Sequence, residues 1–116
     1  MLKANQLPEA LIQLQQAARI EPNDVDVLSN LGVVLARLGR VPEAAQLFEK
    51  MLQIDPNSAA AHTNMGSLFL IAGKLPEARA QYEEALRDNP DFTEAQQDLA
   101  RVEKMGTSVP AAPAPP

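Results

Sequence analysis

Pro42-Glu43-Ala44-Ala45-Gln46-Leu47-Phe48, with Pro56-Asn57 a little further on, is the stretch from which the architecture can be read. Its opening recurs 34 residues to either side, as Pro8-Glu9-Ala10 and as Pro76-Glu77-Ala78. Pro22, Pro56 and Pro90 keep the same interval, each followed by Asn or Asp (Asn23, Asn57, Asp91). Gly32 pairs with Gly66 and Gly39 with Gly73 at that spacing too. Independent features sharing a period of about 34 mark an array of helical repeats. Each unit is too small to bury its own apolar face, so stacked neighbours must complete the core. A chain built this way presents a surface.

Within a period the apolar pattern is helical. Leu28, Leu31, Leu35 and Leu38 follow steps of three, four and three along one helix face. Gly39 stops that helix, because glycine accepts the left-handed conformation of a helix C-terminus. Pro42 opens the next in its first turn, and Glu43 beside it suits the helix dipole. Ala44, Leu47, Phe48, Met51 and Leu52 form its buried stripe, and Pro56 ends it by pushing Asp55 out of the helical region. The pattern predicts six helices near 7–20, 25–38, 42–54, 59–72, 76–88 and 92–104. Gly32 and Gly66, at about 1 kcal/mol each relative to Ala in a helix interior, mark close approach by a neighbouring helix.

Composition agrees. The 116 residues fit one domain, the apolar fraction is 46%, and aromatics are only 3%, so Leu and Ala must do the packing. A net charge of −5 and a pI near 4.8 argue against nucleic acid and anionic membranes as partners. With no cysteine there are no disulfides or thiolate metal sites. No signal peptide or membrane-length apolar run is read, which places the chain in the cytoplasm by default.

Asn30-Leu31-Gly32 with Leu35, then Gly39, Ala44, Phe48 and Pro56, resembles the tetratricopeptide repeat. Met65-Gly66, Phe69, Gly73, Ala78, Tyr82, Ala85 and Pro90 fill the same slots one period later. Leu28 and His62 hold the Trp slot, and Met51 stands where Ala is usual, which should widen the local helix spacing. The resemblance implies a right-handed superhelical α-solenoid of antiparallel helix pairs over residues 1–105. Residues 1–24 read as a partial repeat, 25–58 and 59–92 as full repeats, and 93–105 as a capping helix. Asn5 takes the Gly slot of the partial repeat. The cap opens with Asp91-x-x-Glu94, a capping-box arrangement, and carries Glu103 in a large apolar slot, which suits a solvated end. Residues 106–116 read as a Pro/Ala-rich tail or linker.

Catalysis finds little footing. His62 is the single histidine, and no Ser/His/Asp set can be assembled. His62 reads as a packing residue, and Glu83-Glu84, about 100° apart on a helix, as a solvated face. No metal ligand cluster and no cofactor motif is present. The expectation is a non-enzyme without metal or cofactor.

The first helix of each tetratricopeptide unit lines a concave groove, which implies candidate peptide contacts. These are Ser29, Asn30, Val33 and Arg37 in one unit, Thr63, Asn64, Ser67, Leu70 and Ile71 in the next, and Glu94 and Asp98 on the cap helix. Asn30 and Asn64 share a phase that Asp98 continues. In arrays of the O-linked N-acetylglucosamine transferase type, asparagines at this phase hold the backbone of an extended peptide, since a carboxamide both donates and accepts. The alternative is that Asn bonds a neighbouring helix, and the two roles are compatible. Arrays that clamp a chaperone C-terminal carboxylate set Lys or Arg on either side of the middle Asn. Here Ser29 and Val33, then Glu94 and Asp98, hold those places, and carboxylates repel a carboxylate. The reading is a protein-interaction scaffold for a neutral to basic peptide or protein segment. Two alternatives stand beside it. One is self-assembly as a weak homodimer through the incomplete first repeat, where Leu11, Leu14 and Ala18 lack cover. The other is a recruiting segment excerpted from a larger enzyme.

Overall fold

The computed structural model describes residues 6–108, and the described chain is all α. Six helices follow in order: α1 Leu7–Ile20, α2 Val25–Arg37, α3 Val41–Ile54, α4 Ala59–Ile71, α5 Leu75–Asp88 and α6 Thr93–Ser108. Asn5 and residues 109–116 of the expected tail lie outside the described residues. The expected tail boundary at 106 falls inside α6, because Gly106 does not take the positive φ by which Gly39 (81°) and Gly73 (76°) end their helices.

Two junctions alternate, each set by local chemistry. Inside a pair, the chain turns through a left-handed glycine. The Gly39 N–H donates to the Ala36 carbonyl at 3.0 Å and the Arg40 N–H to that of Leu35 at 2.8 Å. Gly73 and Lys74 repeat these bonds to Leu70 and Phe69. Both are Schellman closures, which satisfy carbonyls that a helix end would leave bare. Between pairs, the residue before proline is extended, with Asp55 at φ −141°, ψ 100° and Asn89 at φ −146°, ψ 96°. The next helix is then capped by Asp24, whose Oδ1 accepts from the N–H groups of Asp26 and Val27, or by Ser58, whose Oγ accepts from that of Ala61. The third such junction departs from expectation. The Phe92 carbonyl takes the first bond of α6 from the Gln96 N–H, so Asp91 stands one residue ahead of the capping position. Its own N–H is held by Asn89 Oδ1.

Packing runs mainly between successive helices, with α2 also on α4 and α4 also on α6. The largest core cluster joins Leu28, Leu31 and Leu35 of α2 to Ala44, Phe48 and Met51 of α3 and to Ala61 and Leu68 of α4. Ala78, Tyr82 and Val102 anchor a second between α5 and α6. Leu38, by contrast, is the C-cap of α2 and lies exposed. On α1, Leu11, Leu14 and Ala18 pack against the first cluster, where the sequence reading had left them bare. The next pair's first helix, α2, covers them in part. What α1 exposes is Ile12 and Ile20, the latter at 79%.

Gly32 and Gly66 sit at close helix contacts, as expected. A Cβ built on Gly32 would run into the Phe48 ring, 2.7 Å from Cζ, and one on Gly66 would lie 2.6 Å from Tyr82 Cε1. Both rings are buried, at 1% and 0% exposure, and have nowhere to turn. Overpacking of a core costs about 1–3 kcal/mol, against roughly 1 kcal/mol gained from Ala over Gly in a helix. Gly32→Ala should therefore lower the melting temperature despite its better helix propensity. Adding Phe48→Leu should recover part of that loss. Equal melting of Gly32→Ala and the parent chain would show that the ring is not confined.

Candidate functional site

The first helices of successive pairs, α2 and α4, lie side by side with α6 beyond, and a groove of about 230 Å3 opens between them. Val33, Ala36 and Arg37 wall it from α2, Asn64, Ser67, Leu68 and Ile71 from α4, and Glu94 from α6. The Phe48 ring reaches it from α3, beneath the helix that Gly32 leaves without a side chain. Of the candidate contacts, the structure thus brings Val33, Arg37, Asn64, Ser67, Ile71 and Glu94 together. Val33 at 39% and Ile71 at 57% exposure offer apolar contact on opposite walls.

Two candidates fall elsewhere. Thr63 is 1% exposed and its hydroxyl donates to the Ala59 carbonyl at 2.7 Å, a bond inside its own helix that leaves it no reach to a ligand. Leu70 packs with Phe69 against the Ala78, Tyr82 and Val102 cluster, on the core side of α4. Asn30 is exposed and lines a recess of about 500 Å3 between α1 and α2 that shares Val33 and Arg37 with the groove, one period before Asn64. The Asn64 amide donates to Ser29 Oγ at 2.9 Å, tying α4 to α2. That bond uses one N–H and leaves the other N–H and the carbonyl oxygen. Asn64 thus takes the structural role while keeping capacity for a peptide backbone.

Electrostatics set the far end apart. Glu94 lies at the groove mouth and Asp98 one turn on, half-buried, with Arg101 Nη1 at 3.4 Å from its Oδ1. Burial raises the Glu94 carboxyl above the ordinary range, and the Asp98 charge adds to it. Burial also raises Asp98, with Arg101 partly offsetting. Both groups favour an arriving cation. Burial likewise raises the Tyr82 phenol, which lies 3.1 Å from Ser67 Oγ while that hydroxyl donates to the Thr63 carbonyl. No group of three or more His, Cys, Asp or Glu among the described residues is arranged to hold a metal.

A different constellation escaped the sequence reading. His62 does pack at the end of α5, but through polar contacts: Nδ1 is 3.1 Å from Gln81 Oε1 and Nε2 is 3.3 Å from the Pro56 carbonyl. Asp88 Oδ2, buried without a hydrogen bond, stands 3.5 Å from the same Nε2. One period earlier, Leu28 and Ile54 hold these two phases. The signal was there: an acidic residue replaced an isoleucine opposite the lone histidine.

A family model described as tetratricopeptide repeat matches residues 23–89, and another described as TPR repeat matches residues 2–39. No curated protein matches significantly. Among solved structures, the first TPR of Spaghetti (RPAP3), bound to an HSP90 peptide, superposes with a TM-score of 0.74 at 20% identity, over 90% of this chain and 82% of that one. YrrB, described as a TPR protein with an unusual peptide-binding site, gives 0.74 at 28% over 81% of this chain and 48% of its own. A mutant O-GlcNAc transferase of Thermobaculum terrenum gives 0.74 at 23%, over 83% of this chain and 18% of its own. The first and third likenesses show the fold alone, and it is shared by chaperone-peptide and transferase arrays alike.

The His62–Asp88 pair makes a prediction of its own. His62→Leu alone strands a buried carboxylate, a loss on the order of 1–3 kcal/mol. His62→Leu with Asp88→Ile restores the apolar pair of the preceding repeat and should melt at or above the parent temperature, since replacing both partners of a buried polar contact by apolar groups can be neutral or stabilising. Chemical denaturation of the three proteins measures this. A double variant no better than the single one would mean that the pair does not act as a unit.

Proposed function

The chain belongs to the tetratricopeptide repeat family, and on that premise we propose that it is a protein-interaction module that performs no chemistry of its own. It holds an extended, neutral to basic peptide segment in the groove between α2, α4 and α6. The observation that carries this reading is the make-up of the groove. Asn64 supplies an amide N–H and a carbonyl oxygen to a peptide backbone, Val33 and Ile71 flank it with exposed apolar surface, and Glu94 with Asp98 closes the end. Solved relatives described as carrying bound peptide or a peptide-binding site support the class of ligand. The charge supports the subclass. Glu94 and Asp98 occupy places that need cations in a carboxylate clamp, so the groove is of the kind that holds backbone amides, as in transferase arrays.

Selection of random dodecapeptides against the 116-residue chain tests this. Bound sequences should be enriched in Lys or Arg, and Glu94→Lys with Asp98→Lys should turn the preference to Asp and Glu. Asn64→Ala should weaken a selected peptide by about 2- to 13-fold, one neutral hydrogen bond's worth. Amide shift changes confined to residues outside α2, α4 and α6 would sink the assignment.

The pH response follows from burial. Affinity for a Lys-containing peptide should be flat near neutrality and fall on acidification, starting above the range of about 3.9–4.3 where free carboxyls titrate. The free protein should respond in the opposite sense. Acids whose folded pKa is raised leave stability highest below their unfolded pKa, and that stability is lost as pH rises through the folded value. Glu94→Gln with Asp98→Asn should therefore stabilise the chain at pH 7 and make no difference near pH 3. Thermal melts across that range check the sign.

A further inference from the structure

His62, Asp88 and the Pro56 carbonyl meet on the side of α4 turned away from the groove. At 100° per residue, Asn64 stands about 200° round the helix from His62. The Gln81 oxygen lies 3.1 Å from Nδ1, which places the ring hydrogen there and leaves Nε2 with its lone pair. That lone pair faces two further acceptors, the Pro56 carbonyl oxygen at 3.3 Å and Asp88 Oδ2 at 3.5 Å. Three acceptors therefore converge with no hydrogen among them. The Asp88 side chain is only 9% exposed, and its Oδ2 has no hydrogen bond. A buried carboxylate of this kind needs a positive partner. Arg87, next to it in the chain, is drawn to Glu84 at 3.1 Å instead.

The helices add to the same field. Asp88 is the last residue of α5, and Pro56 follows the end of α3, so the negative ends of two helix dipoles lie at this spot. A carboxylate is out of place at such an end, whereas a cation is favoured there. We propose that the convergence is a metal site, taking one divalent first-row ion of the Zn2+ class. The proposal stands apart from the groove reading, since the two sites share no residue.

Zn2+ holds nitrogen and oxygen ligands at about 2.0–2.2 Å, which sets tetrahedral neighbours roughly 3.3–3.6 Å apart. Both separations from Nε2 fall in that span. His62 Nε2, Asp88 Oδ2 and the Pro56 carbonyl make three ligands, and the exposed Pro56 turn leaves a fourth position to water. Gln81 supplies what a metal-bound imidazole needs, an acceptor on the other ring nitrogen that fixes tautomer and orientation. An imidazole among three ligands favours Zn2+ and its neighbours over Mg2+ and Ca2+, which take oxygen. The third ligand is main chain, so no cluster of three acidic or histidine side chains marks the site, and the sequence alone led to the expectation of no metal. A bound ion would tie the α3–α4 turn and α4 to the end of α5.

The test is calorimetric titration of the EDTA-treated 116-residue chain with ZnCl2, read beside the ring 15N spectrum of its single histidine. One Zn2+ should bind per chain, moving the Nε2 resonance while Nδ1 keeps its proton, and Mg2+ or Ca2+ should not compete. Gln81→Ala should weaken Zn2+ by about 10- to 100-fold, the usual cost of losing an outer partner, and Gln81→Glu should bind at least as tightly as the parent. Asp88→Asn keeps the shape of the side chain and should cost more than Gln81→Ala, because it removes a ligand. His62→Leu with Asp88→Ile should abolish binding, and circular dichroism confirms that it folds. Zn2+ affinity that survives this double variant belongs to other carboxylates and overturns the proposal. A metal-free ring with its proton on Nε2, donating to the Pro56 carbonyl, would remove the convergence of acceptors and overturn it too. So would a doubly protonated ring from which Zn2+ displaces nothing.

Discussion

An aromatic ring lying against a glycine is the contact on which the rest of this array depends. Phe48 under Gly32 and Tyr82 under Gly66 set how closely the two helices of a pair approach. A Cβ at either glycine would push the helices apart, and displacement in one pair is passed along a stack in which each helix is positioned by its neighbours. The same contact makes the site. Because α2 has no side chain at Gly32, the Phe48 ring packs beneath it and, while 1% exposed, floors the groove between α2 and α4. Core and groove share one residue. Leu14, at the same phase in α1, is smaller, and there the array opens into the wider recess.

The polar groups of the groove are built into the frame in the same way. The Asn64 bond to Ser29 holds α4 on α2, and the Tyr82 hydroxyl, raised in pKa by burial, meets Ser67 at the groove wall. Groups fixed before a ligand arrives lose little freedom on binding, which favours affinity from few contacts. The two carboxylates differ in kind. Ionised Glu94 and Asp98 sit partly out of water at a cost to the folded chain, a cost that a bound cation would relieve. Such groups cluster at functional sites, although structural networks perturb pKa values too.

The fold was legible because its determinants are local and repeat. Glycine at a left-handed turn and an extended residue before proline can each be read within a few positions. The 34-residue period then sets which helix meets which. The site was legible only to the level of helix face. Phase told that Thr63, Ser67 and Leu70 lie on α4 near the groove, but not how deep. Helix α4 is enclosed by α2, α3, α5 and α6, and that enclosure buries Thr63 and turns the partly buried Leu70 against the α5–α6 core. Asn30 and Asn64 share a phase yet differ because the helix beside α4 offers Ser29, whereas α2 borders the recess on α1. Burial depth and neighbour identity are tertiary properties, and a single period carries neither. The cap of α6 was missed by one residue for a smaller reason: the capping phase of Asp24 and Ser58 falls on Phe92, whose side chain cannot accept a hydrogen bond, and the Asp91 beside it offered a carboxylate one position early.

The two flanks of the described array are chemically unlike, and this bears on how a ligand would lie. On the α6 flank, Glu94, Asp98 and Glu103 carry negative charge and Gln96 stands at a phase that elsewhere holds a leucine. On the α1 flank the recess is walled by Ala, Leu and Val. A symmetric groove would bind an extended chain in either direction, since backbone donors and acceptors alternate along it. Charge at one end and apolar surface at the other remove that degeneracy. The wrong orientation would set a cation over an apolar recess and a large apolar side chain beside two carboxylates. Both misplacements would cost desolvation or lost burial, so on the proposed reading direction would follow from what the wrong orientation forfeits as much as from what the right one gains. On the proposed reading the overall charge of −5 would work in the same sense over longer distances, drawing cationic segments toward the chain before contact is made.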